Sequence, residues 1–175
     1  MGYLDLQSHV NKENVMRIHT MTAAAFLCCC LGVLHAEDKP AESEVKAVRR
    51  ANGTFYAALN AVFKGNLQPM KEIWSHADDV TYLGPDGSFR MGWQATLKDW
   101  EKQAARKLGG NVEPKQIRVT VGRDLAVVQN YEVGENVIDG KPTKVRIRAT
   151  NLYRKEDGKW KMIGHHTDLL PFLDE

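Results

Sequence analysis

The chain has 175 residues, a length for one domain or two small ones, with 43% apolar residues, 26% charged residues and a net charge of +2. That near-balance, with no basic run interleaved with aromatics, excludes the electrostatic footprint of a nucleic-acid-binding protein. Four Trp, five Tyr and five Phe supply the bulk of a core and exclude global disorder.

Residues 1–36 read as an N-terminal extension and cleaved signal peptide. All three cysteines, Cys28, Cys29 and Cys30, are adjacent within the apolar run Ala23 to Leu34. Arg17 and His19 precede that run and His35-Ala36 follows it, the order of a secretory signal with cleavage after Ala36. Met16 is then an alternative start to Met1. The run is shorter than the roughly 20 apolar residues of a membrane span. Leu27, Cys28 and Cys29 fit a lipoprotein signal poorly. The expectation is a periplasmic or secreted protein with no membrane span after cleavage. Past Ala36 there is no cysteine, which excludes a thiol nucleophile, a disulfide or a Cys-ligated metal in the mature chain. Only His76, His165 and His166 remain there, so no metal and no cofactor is expected.

Residues 37–44 are polar and contain Pro40, which predicts a flexible lead-in before a domain over 45–175. From Val45 to Phe63 the spacing of Val48, Phe55, Leu59 and Val62 predicts a helix, stopped at Gly65-Asn66. Leu67 to Ser75 reads as a short second helix with Met70, Ile73 and Trp74 on its apolar face. A brief strand, Val80 to Leu83, closes in the turn Gly84-Pro85-Asp86-Gly87. Gly92 to Leu108 is a third helix, with Leu97, Trp100 and Ala104 on one side. Then the period changes to two. Ile117 to Val121, Leu125 to Val133, Ile147 to Arg154 and Lys159 to Leu169 alternate as strands, separated by turns at Gly122–Asp124, Asp139–Pro142 and Glu156–Gly158. Helices grouped before a strand meander predict an α+β fold.

Several short stretches carry a resemblance. Phe55-Tyr56-Ala57-Ala58-Leu59-Asn60-Ala61 followed by Gly65-Asn66-Leu67, then Ala77-Asp78-Asp79-Val80-Thr81, then Asp157 to Ile163 with His165-His166-Thr167, occur in the order of the NTF2-like superfamily. The chain resembles its SnoaL-like and DUF4440-type members over about residues 45–170. The closing strand is also similar to the association domain of the calcium/calmodulin-dependent kinase. The resemblance implies a cone of three helices on a strongly curved antiparallel sheet, commonly dimerising through the outer sheet face. It also allows comparison with ketosteroid isomerase. There the carboxylate base falls on Gly84, the tyrosine donor on Phe55 with Tyr56 beside it, and the acidic donor on Asn151. The base and the tyrosine are therefore absent from the expected positions.

With Asn151 taken as inward, period two brings Ile147, Ala149 and Tyr153 inward with it. The same correspondence on the last strand turns Ile163, His165 and Thr167 inward and Trp160, Met162 and His166 outward. Tyr82, Gln129 and Tyr131 join the inward set, with Phe55 and Trp74 from the helices and Trp93 at the rim. Trp100 and Trp160 are expected to supply core area only. Arg146, Arg148 and Arg154 share one strand face, as a solvated or dimer-facing row or an anion clamp.

His165 is the one ionisable side chain placed in this pocket, either as a general base or as a hydrogen-bonded core histidine. His165 and His166 point to opposite faces and cannot share a metal ion. Three functions follow as expectations. The first is a homodimer that binds a small apolar or aromatic molecule without catalysis. The second is an isomerase, cyclase or dehydratase using His165 with Tyr82 or Asn151. The third is a homo-oligomeric interaction module working through its outer sheet face.

Overall fold

The computed structural model describes residues 42–168. The signal peptide, its cleavage site and the end of the last strand at Leu169 lie outside the described residues. Helix α1 (Glu42–Val62) turns Val48, Asn52, Phe55, Tyr56, Leu59 and Val62 to the core. It begins at Glu42, inside the stretch expected to be a flexible lead-in. Glu42 and Glu44 sit favourably at the positive end of the helix dipole, and Glu44 bonds Lys155 and the Trp160 indole N–H. Gly65, at φ 89°, ends the helical region and donates its N–H to Val62.

Helix α2 (Gln68–Ile73) leads to β1 (Thr81–Leu83), β2 (Phe89–Met91) and α3 (Trp93–Arg106). Strand β2 was not foreseen: three residues after a tight turn are too few to show a period. Strands β3 (Asn111–Val121), β4 (Leu125–Ile138), β5 (Lys141–Glu156) and β6 (Lys159–Asp168) form the expected antiparallel meander. The full sheet runs β2-β1-β6-β5-β4-β3, with β1 parallel to β6. Asp139-Gly140 and Asp157-Gly158 all have positive φ, the two-residue turn that suits the twist of a hairpin.

Three devices curve this open sheet around the helices. Gln116 bulges out of β3 at φ 53°. At Gly134 the Asn111 carbonyl of β3 comes so close that no side chain fits. In β6 the pairing steps from Tyr153–Met162 to Leu152–Gly164, leaving Ile163 as an extra residue. That bulge reverses the side-chain alternation behind it. Met162 is therefore fully buried in the core, and Trp160 packs against the core, where an outward pair had been expected. The core fills the concave side of the sheet, with Trp74, Trp100, Phe55 and Tyr153 its largest buried side chains.

Candidate functional site

Four neighbouring strands place one row of residues across the concave face. Val128 pairs with Asn151, Asn151 with His165, and His165 with Tyr82. One step along, Asn130, Ala149 and Thr167 form the next row. Asn151, Tyr153, His165, Thr167 and Tyr82 thus all lie inward as expected from sequence.

On β4 the expected parity is wrong. Gln129 is exposed and Tyr131 half-buried under the Arg146 guanidinium, while Asn130 and Glu132 are buried inward. Both parities of this strand carry apolar residues, so periodicity alone did not choose between them. The two-residue turn Asp139-Gly140 did hold the signal. Counting back from it pairs Asn151 with Val128 and so turns Asn130 and Glu132 inward.

Glu132 is the buried, cavity-lining carboxyl that sequence reasoning missed. Its carboxylate accepts the Tyr56 hydroxyl proton at 3.0 Å, and the Tyr56 oxygen accepts from Asn130 Nδ2 at 2.7 Å. Burial pushes the Glu132 carboxyl up to about 7, against the weaker opposing effect of the Tyr56 bond. Burial also raises the Tyr56, Tyr82 and Tyr153 hydroxyls, which stay protonated.

His165 Nδ1 lies 2.6 Å from Asn151 Oδ1, and Nε2 lies 3.7 Å from Glu132 Oε1. Burial, with a smaller push from His166, lowers the imidazole to about 3. His165 is therefore neutral, and its approach to Glu132 is not an ion pair. Phe55 stands 4.8 Å from the imidazole centre, and Tyr82 stacks parallel to it at 5.8 Å.

Glu132 and His165 open onto a cavity of about 470 Å³, within the usual range for small-molecule sites. Tyr82, Trp100, Gln103 and Thr167 line it inside, and the exposed residues Ile138, Thr143 and Lys144 border its mouth at the β4–β5 hairpin. Trp100 Nε1 and Thr167 Oγ1 are buried without a hydrogen-bond partner among the described residues. Trp100 thus serves as cavity wall as well as core. The Tyr82 hydroxyl is held by Gln103 Nε2 at 2.7 Å.

Of the residues expected to contact a ligand, only Tyr82, His165 and Thr167 line this cavity. Phe55, Tyr56, Asn151 and Tyr153 stand behind its wall as support, and Trp74 is core. Trp93 is not at a rim: it is buried and stacks on His76 at 4.4 Å, away from the cavity. On the opposite face of β6, His166 contacts Asp168 at 2.9 Å in solvent. Among the described residues, no three His, Cys, Asp or Glu side chains gather as a metal set. No described helix is long and apolar enough to cross a membrane.

Comparison with known proteins gives this architecture a family. The profile of the SnoaL-like domain matches residues 48–169. No functionally curated protein matches the chain. Among solved structures, a candidate dehydratase of the NTF2-like family from Streptomyces avermitilis is 22% identical, covering 74% of this chain and 97% of its own, with a TM-score of 0.65. A candidate association domain of calcium/calmodulin-dependent protein kinase type II from Thiobacillus denitrificans is 25% identical, covering 70% and 94%, with a TM-score of 0.61. A candidate ketosteroid isomerase from Shewanella frigidimarina is 20% identical, covering 69% and 94%, with a TM-score of 0.57. The chain belongs to the SnoaL-like domain family and has the NTF2-like fold.

Proposed function

We propose that this protein binds a small, mostly apolar molecule in its cone and exchanges a proton with it through Glu132, as an isomerase, cyclase or dehydratase does. The observation that carries this reading is the buried Glu132 carboxyl in the cavity wall, raised to about 7. A carboxyl with that affinity exists in both protonation forms at neutral pH, the condition for a general acid or base. Neutral His165 is its partner rather than the principal base. The unpartnered Trp100 N–H and Thr167 hydroxyl suit a ligand that carries hydrogen-bonding oxygen on an apolar body. The names of the similar dehydratase and isomerase structures agree with such chemistry.

The test incubates the full chain with 2-tetralone, steroid enones and aromatic polyketide fragments in D2O and follows deuterium incorporation by NMR. A bound probe should exchange. Glu132→Gln should slow exchange about 100-fold or more while binding is retained. Binding without exchange would make the protein a carrier, and an unchanged rate in Glu132→Gln would contradict the role of Glu132.

A second reading concerns assembly. Leu125 and Leu152 stand exposed on the sheet face opposite the cavity, which suits a homodimer formed there. The similar kinase-association domain agrees with it. Light scattering should give a dimer that Leu152→Lys dissociates; a monomer at all concentrations would overturn it. Export remains part of the proposal, tested by the N-terminus of the protein recovered from its native host.

A further inference from the structure

Behind the cavity wall, three buried side chains continue the hydrogen bonding of His165 into helix α1. His165 Nδ1 meets Asn151 Oδ1 at 2.6 Å, Asn151 Nδ2 donates to Asn52 Oδ1 at 2.8 Å, and the Tyr153 hydroxyl donates to the same Asn52 oxygen at 3.0 Å. Asn52 and Asn151 are at most 1% exposed. We infer that Asn52 and Asn151 form an amide relay that fixes the His165 proton on Nδ1 and keeps Nε2 as a bare acceptor facing Glu132. They are positioning residues, since neither lines the cavity.

The direction of the relay follows from what each orientation leaves unpaired. In this orientation one buried donor of the relay, Asn52 Nδ2, lacks a partner among the described residues. With both amides reversed, the Asn52 oxygen would lose its partners. The Tyr153 hydroxyl, now accepting from Asn52, would also have nowhere to place its proton. Each such orphan is a buried polar group that has lost its water and gained no partner, and so disfavours the orientation that creates it. The forward orientation therefore leaves one orphan where the reversed one leaves two.

The consequence is chemical. With Nε2 bare, His165 can take a hydrogen bond from a ligand hydroxyl, and it cannot donate into the cavity. That consequence rests on the acid–base reading above; the tautomer itself does not.

Nitrogen-15 NMR of the labelled full chain without ligand is the test, with His165 assigned by the signals lost in His165→Gln. The wild type should show protonated Nδ1 and unprotonated Nε2. Asn52→Asp keeps the acceptor and should preserve that pattern. Asn151→Asp should also keep the Nδ1 proton, and should move the imidazole titration upward by at least about one pH unit, because a carboxylate stabilises the imidazolium. Asn151→Leu should lose the single tautomer. Protonated Nε2 in the wild type, or an unchanged titration in Asn151→Asp, would overturn the relay; the second variant decides the matter even if Asn151→Leu fails to fold. A fixed tautomer together with full proton exchange by Glu132→Gln would sink the proposed function and leave the relay standing.

Discussion

Burial of Glu132 and His165 leads to the expectation that, between pH 4.5 and 6.5, folding moves a proton from one side chain to the other. In the unfolded chain the imidazole of His165 holds it; in the fold, Glu132 holds it, because burial raises the carboxyl to about 7 and lowers the imidazole to about 3. Taken alone, Glu132 contributes most below its unfolded pKa and loses that contribution as pH rises toward 7. His165 alone contributes fully above 6.5 and loses it as pH falls toward 3. Over the shared window the two slopes cancel. Relative to wild type, Glu132→Gln should gain stability with rising pH there, and His165→Gln should lose it. Each slope approaches about 1.4 kcal/mol per pH unit, read by urea unfolding at a series of pH values. Slopes of the same sign in both variants would contradict the exchange. Tyr56→Phe removes a bond to the Glu132 carboxylate and strands Asn130 Nδ2. It should cost about 1–3 kcal/mol and raise the Glu132 titration further. At this scale the sequence made half the site legible. Asn151, His165 and Thr167 followed from the family resemblance and Tyr153 from period two, whereas Glu132 required the register that the Asp139-Gly140 turn imposes.

Elements position these residues through irregularities more than through regular strands. The Ile163 bulge lets two incompatible alternations coexist on β6: His165 and Thr167 face the cavity at one end, and Met162 is buried in the core at the other. A strict period of two cannot express that, which is why Met162 and Trp160 read as outward. Helices α1 and α3 were legible because their apolar spacing is long and unbroken, and β2 was not because it is three residues. Gly134 is the sharpest test of the curvature. A Val there would press into the Asn111 backbone, so Gly134→Val should destabilise by at least about 2 kcal/mol in urea unfolding. A change within about 0.5 kcal/mol would mean that β3 and β4 can separate without loss.

For the whole molecule, the SnoaL-like domain sets Glu132 and His165 beside each other in the wall of a cavity that opens at the β4–β5 hairpin. The fold was legible from the order of helices and strands together with the short stretches that resemble the NTF2-like superfamily. The chemistry was less so, because the resemblance to ketosteroid isomerase assigns the base to Gly84 and the tyrosine to Phe55, neither of which can serve. The structure supplies a carboxyl from β4 and a hydroxyl from Tyr56, one residue along. The measurement that bears most directly on this site is the carbon-13 titration of the Glu132 carboxyl in the full chain, assigned by its loss in Glu132→Gln. An apparent pKa near 7 is expected from its burial. A titration complete below pH 5 would leave Glu132 ionised at neutral pH and would contradict its role as the proton-exchanging group of the cavity.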